Sequence, residues 1–142
     1  MDQITLQVGV KILLKNKEGK FLLVRRSLKK YPDAARADWD IVGGRINAGF
    51  SLMENLAREV DEETKLKITS TPVLVAAQDI LRVQGKHVVR LTYIGTTEGN
   101  PVLDEENSDF GWFTAEQIKA MPETELDIYL KELLDKNILK IG

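Results

Sequence analysis

The sequence predicts a mixed β-sheet with helices packed on its faces, an α/β or α+β sandwich, in one domain covering residues 1–142. Three observations predict it. Strand-like runs come first, then a helix, then strands again, then helices. The run Phe21-Leu22-Leu23-Val24 is short and continuously apolar, as a strand buried on both faces would be. A chain of 142 residues has room for a single core that buries roughly two thirds of its unfolded surface.

The elements follow in order. Ile4 to Leu14 is rich in β-branched and aliphatic residues and ends at the turn Asn16-Lys17-Glu18-Gly19. With Phe21–Val24 behind that turn, the pair reads as a hairpin. Arg25 to Asp38, which carries Pro32, reads as a loop, and Trp39 to Val42 as a short strand that stops at Gly43-Gly44. Ser51 to Thr64 is a helix. Ser51 followed three residues later by Glu54 makes a capping box, and Leu52, Met53, Leu56, Ala57 and Val60 make an apolar stripe. Val73–Val83 and His87–Thr97 are strands joined through Gln84-Gly85-Lys86, a second hairpin. A polar loop, Gly99 to Asp109, leads to a short strand, Phe110 to Phe113. Thr114 caps a helix that Pro122 ends, and Glu125 to Lys136 is a last amphipathic helix with Leu126, Tyr129, Leu130 and Leu133 on one side.

Composition narrows the function. A net charge of −2 lacks the basic excess that nucleic-acid polymers call for, so no such partner is expected. The absence of cysteine excludes thiolate catalysis, disulfides and cysteine-ligated metal centres. No apolar run approaches the ~18 residues that span a bilayer, and no signal peptide is visible, so the expectation is a cytoplasmic protein without a membrane partner.

The chemistry gathers on the helix. At ~100° per residue, Glu59 and Glu63 fall one turn apart on nearly one line, and Glu62 lies about 60° from Glu59. The trio borders the apolar stripe, where solvent is partly excluded. Arg58 is one turn from Glu62 and can orient or neutralise part of the cluster. Hard cations such as Mg²⁺ or Mn²⁺ prefer carboxylate oxygens, neutralise phosphate and activate water. The glycine pair ahead of the helix lets backbone approach a substrate closely.

These residues resemble the Nudix box: Gly44, then Arg58-Glu59-Val60-Asp61-Glu62-Glu63-Thr64, then Leu66, at the family's spacing. Phe50 stands where the family has a glutamate, and Lys65 where it has a glycine that ends the helix in a left-handed conformation. The resemblance extends through Phe21–Ser27 and Trp39 before the box, and its layout is similar to the branch that sanitises oxidised nucleotides, the 8-oxo-dGTP diphosphatases. It implies the Nudix α/β/α sandwich with a mixed sheet, and metal-dependent hydrolysis of the diphosphate linkage in a nucleoside diphosphate derivative. It implies Glu59, Glu62 and Glu63 as ligands of Mg²⁺ or Mn²⁺. It further implies Glu59 or Glu106 near the attacking water, Arg58 as the group that orients Glu59, and Arg26 and Arg45 on phosphate. Gly44 and Trp39 complete the expected substrate contacts. The partner implied is a small nucleotide, with a homodimer one open arrangement. The alternative reading is a nucleotide-binding Nudix-fold module with weak or no catalysis because of Phe50. An isomerase on the same fold needs a catalytic cysteine, which this chain lacks. Substrate choice is expected to lie in Tyr31 to Asp40, Arg82 to His87 and Asp104 to Asp109.

Overall fold

A computed structural model describes residues 3–32 and 37–141. Seven strands among these residues form one mixed sheet. The long first strand, β1 (Thr5–Lys15), is its centre. It pairs in parallel with β6 (Lys86–Thr96) along its whole length, from Thr5 against Lys86 to Lys15 against Thr96. Beyond β6 lies β5 (Val73–Ile80), antiparallel to it, so the second expected hairpin forms.

The first hairpin forms only at its turn. β1 and β2 (Phe21–Arg26) share the single register pair Lys15 and Phe21, closed by the Asn16–Lys20 and Gly19–Asn16 backbone bonds. Past that point the strands part, and β4 (Val42–Arg45) takes the vacated edge of β1, pairing antiparallel from Gly9–Arg45 to Ile12–Val42. The expected strand at residues 39–42 therefore divides. β3 (Trp39–Asp40) pairs with β2, Ile41 marks the crossing, and β4 runs through the glycine pair instead of stopping there. β2 gains its other partner in β7 (Asn107–Phe113), which begins three residues ahead of the expected strand.

Alternation along β1 and β2 divides the core into two layers. Val10, Ile12, Leu14, Leu22, Val24 and Val42 face helix α1 (Leu52–Thr64), meeting Leu56 and Val60. Leu13, Phe21, Leu23 and Ile41 face helices α2 (Ala115–Ala120) and α3 (Ile128–Asp135), meeting Ile118, Leu130 and Leu133. All four residues of Phe21–Val24 are buried, as the unbroken apolar run requires of a strand covered on both sides. The architecture is thus the expected α/β/α sandwich.

Two helix expectations need correction. The buried face of α1 is Asn55, Leu56, Val60, Glu63 and Thr64, whereas Leu52, Met53 and Ala57 are exposed. The stripe is rotated because α1 leans on β4, where two glycines leave room for polar side chains that find partners. Leu56 and Val60, both fully buried, carry the apolar contact, each stabilising by roughly 1.5–3 kcal/mol. The last helix starts at Ile128, not Glu125, because Asp127 caps it by accepting from the Tyr129 and Leu130 N–H groups. Leu126 is spent instead on a bridge to Trp39.

Candidate active site

The loop after β4 and the start of α1 are built as the sequence suggests. Ser51 accepts from the Glu54 N–H and Glu54 reaches back to the Ser51 N–H, closing the capping box. At the other end Lys65 adopts φ 61°, the left-handed conformation for which the family uses glycine, and donates its N–H to Asp61.

The glycine pair decides how close α1 comes to the sheet. A Cβ at Gly44 would lie 2.7 Å from Glu59 Oε2, and one at Gly43 would strike the Val10 carbonyl. Gly43 also has φ +147°. With no side chain at either position, Glu59 seats its carboxylate against β4, with only 12% of its side chain exposed. Glu63, one turn on, is 6% exposed. Its Oε2 accepts from the Gly43 N–H at 2.8 Å, and its Oε1 from Asn107 Nδ2 at 3.1 Å. Glu62 stands at the rim, 56% exposed.

Arg58 ties the carboxylates together. Its Nη1 donates to Glu59 Oε1 at 2.9 Å and to Glu62 Oε2 at 3.2 Å, and its Nη2 to the Arg45 carbonyl and to Asn55 Oδ1. Burial pushes the Glu59 carboxyl up; the Arg58 guanidinium opposes this, and the Glu62 and Glu106 charges add to it. Glu63 is pushed up to about 7, chiefly by burial, against the pull of Lys11, Asn107 and the Gly43 N–H. Glu106 lies on an exposed stretch whose carbonyl accepts from the Ser27 N–H, and its charge reaches both Glu59 and the Tyr31 phenol.

The two expected phosphate contacts lie within electrostatic reach of each other. Arg26 lies over the Tyr31 ring at 4.6 Å, and Arg45 donates to Gln7. Burial and then the nearby charges of Arg26 and Arg90 pull the Arg45 pKa down, so these cations stand close together. Trp39 is set apart from the glutamates. It packs edge-on against Phe113 at 5.1 Å, under the Arg25 guanidinium, in the layer facing α2 and α3. Of the stretch Tyr31 to Asp40, residues 33–36 lie outside those described.

Sequence reasoning named Gly44 and Arg45 but missed the small cleft they share with β1, β5 and β6. It is about 40 Å³ and is lined by Gly9, Lys11, Gly44, Arg45, Ile80, Val88 and Arg90. Under it, Arg90 pairs with Asp40 at 3.1 Å and Asp127 at 3.2 Å, and Lys11 with Asp40 at 3.2 Å. Burial alone would raise Asp40, but Arg90 and Lys11 overturn that and hold its carboxyl at about 2. Burial and the Asp40 charge raise Asp127 instead. The alternation Val88, Arg90, Thr92 on β6 was the available signal, since it places a charge on an inward face.

Among the described residues, no three acidic, histidine or cysteine side chains converge as a finished ion cage. Arg58 stands between Glu59 and Glu62, and Glu63 is turned to protein donors. The donor set nonetheless suits a hard divalent cation: carboxylate oxygens, partly desolvated and crowded by like charge, beside a glycine that leaves room for them.

One helix carrying carboxylates, packed against a glycine-built strand of the sandwich, forms the centre of the site. The NUDIX domain family model matches residues 5–135, and the chain belongs to the Nudix family. Members generally use divalent ions such as Mg²⁺ or Mn²⁺ to hydrolyse nucleoside diphosphate derivatives, which are small-molecule nucleotide substrates. The chain is similar to the MutT protein of Methanosarcina mazei Go1, with 26% identity, a TM-score of 0.79, and coverage of 96% of this chain and 94% of that one. It has the fold of the MutT Nudix hydrolase from Burkholderia pseudomallei, at 23% identity and TM-score 0.73 over 92% and 97% of the two chains. The Nudix hydrolase from Nitrosomonas europaea shares it too, at 20% identity and TM-score 0.73 over 97% and 98%. None of the curated proteins compared with the chain matches it. No helix among the described residues is long and apolar enough to cross a membrane.

Proposed function

We propose that this protein hydrolyses the diphosphate linkage of a nucleoside diphosphate derivative, a (d)NTP-type or related nucleotide, as a Nudix nucleotide diphosphohydrolase. The observation that carries the reading is the Glu59 carboxylate, seated over Gly44, gripped by Arg58 and crowded by Glu62 and Glu106. Glu59, Glu62 and Glu63 would hold Mg²⁺ or Mn²⁺, which supplies charge neutralisation on phosphate and an acidified water.

The chain's own groups do the rest. Arg58 fixes the direction of Glu59 by a bond to its Oε1, leaving Oε2 turned to the Gly44 backbone. Held by Arg58 beside the like charges of Glu62 and Glu106, Glu59 is the candidate to take a proton from the attacking water. Glu106 is the second acidic group within electrostatic reach. Arg26 and Arg45 supply positive charge for the phosphate chain.

A second reading, a binding module with little turnover, is favoured by Phe50. Its side chain is 59% exposed in the loop where the family carries a carboxylate. Phosphate release across a nucleotide panel with Mg²⁺ or Mn²⁺ separates the two. Turnover that Glu62→Gln abolishes supports hydrolysis through the carboxylates. Tight nucleotide binding without turnover supports the module, and turnover indifferent to Glu62→Gln sinks the proposed mechanism.

A further inference from the structure

Asn55 lies in the first turn of α1 and is fully buried, an environment that does not favour a primary amide without partners. Its surroundings explain it. Oδ1 accepts from the Asn47 N–H at 2.7 Å and from Arg58 Nη2 at 3.0 Å. Nδ2 donates to the carbonyls of Ser51 at 2.8 Å and Phe50 at 3.1 Å, with Asn47 O further off at 3.4 Å. One side chain thus holds the loop from Asn47 to Ser51 by its backbone and, with the same oxygen, holds Arg58.

Arg58 has few ways to move within these bonds. Asn55 Oδ1 and the Arg45 carbonyl occupy Nη2, which leaves Nη1 aimed at Glu59 and Glu62. The loop itself is pinned through main-chain atoms, among them the Phe50 carbonyl, while the Phe50 side chain is exposed. A continuous set of hydrogen bonds therefore runs from the loop through Asn55 and Arg58 to two carboxylates.

We propose that Asn55 is a positioning residue that sets the geometry of Glu59 and Glu62 through Arg58, standing in for a loop carboxylate at position 50 as the group that locks loop and cluster together. The inference rests on the reading of those carboxylates as cation ligands. Removing a group behind the ligands weakens metal affinity without touching the ion, commonly by about tenfold or more.

The test is a double-mutant cycle read by Mn²⁺ affinity, measured by electron paramagnetic resonance well below the melting temperature. Asn55→Ala and Arg58→Lys are each expected to weaken Mn²⁺ binding about tenfold, and the double variant no more than about twofold beyond Arg58→Lys. Amide exchange at Asn47 in the metal-free protein should quicken in Asn55→Ala and stay unchanged in Arg58→Lys. If Asn55→Ala does not fold, Asn55→Ser, whose hydroxyl is too short to reach loop and Arg58 together, takes its place in the cycle. A merely structural Asn55 would lower the melting temperature while Mn²⁺ affinity stayed within twofold of wild type, or its effect would multiply with that of Arg58→Lys; either result overturns the proposal. If the wild-type protein binds no Mn²⁺, the reading of the carboxylates fails first, a failure that shows before any Asn55 variant is made.

Discussion

Replacing Glu63 with glutamine separates what the fold wants from what the site needs. Glu63 is buried, and burial holds its carboxyl at about 7 against an ordinary 4.5. A carboxyl raised in the folded state contributes stability that is fully present below about 4.5 and is lost as pH rises through about 7. A shift of that size corresponds to about 3 kcal/mol lost by pH 8 in the metal-free protein. Glutamine keeps the shape. Its oxygen can accept from the Gly43 N–H, and its amide can donate to Asn107 once that side chain turns its own oxygen inward. Burying the amide returns part of the gain, so the net stabilisation at pH 8 is about 1–2 kcal/mol. That is a few degrees in melting temperature for a domain of this size. Urea unfolding in EDTA at pH 8 and pH 4.5 reads it: Glu63→Gln is the more stable at pH 8, and its advantage disappears at pH 4.5. Adding Mg²⁺ reverses the order at pH 8, because the variant, one ligand short, gains the smaller ligand-linked term. The reasoning is refuted if Glu63→Gln is less stable than wild type by the same amount at both pH values. The two hydrogen bonds, not the buried charge, would then dominate.

Other substitutions probe the remaining parts. Gly44→Ala drives a methyl group into Glu59 and should cut metal-dependent phosphate release about a hundredfold, the scale of a displaced catalytic group, which initial rates will show. Lys65→Gly relieves a left-handed residue at the helix end and should raise stability by about 1 kcal/mol in urea unfolding, with rates unchanged. Asp40→Asn removes the anion that Arg90 and the half-buried Lys11 share, while Asp127 still pairs with Arg90, and should cost about 2 kcal/mol near neutral pH in urea unfolding. Because the Asp40 carboxyl is held at about 2, its contribution is present above about 4 and lost as pH falls through 2, so acid unfolding of the wild type should steepen in that window.

Much of the fold was legible because its signals are local. The unbroken apolar run at Phe21–Val24, the capping box at Ser51, the cap at Thr114, and the Gly85 turn each specify backbone structure within a few residues. What escaped depends on partners distant in sequence. The parting of β1 and β2 requires β4 to fill the gap, and no residue of the turn reports that. The rotation of α1 escaped for a related reason. Apolar counting favours Leu52, Met53 and Ala57, but the helix presses its Asn55 and Glu63 edge to the sheet because Gly43 and Gly44 make room there.

By itself the sequence determined the family, the carboxylates at family spacing, and the two departures at Phe50 and Lys65, all properties of residue order. Tertiary structure alone decided that Lys65 takes up the left-handed conformation, and that Glu63 is buried, Glu59 half-buried and Glu62 exposed. It alone brought Asn107, Gly43 and Asn55 to these groups, and Asp40, Asp127, Lys11 and Arg90 together under the cleft. Burial and charge pairing are set by which distant segments share a volume, and spacing along one helix carries no record of that.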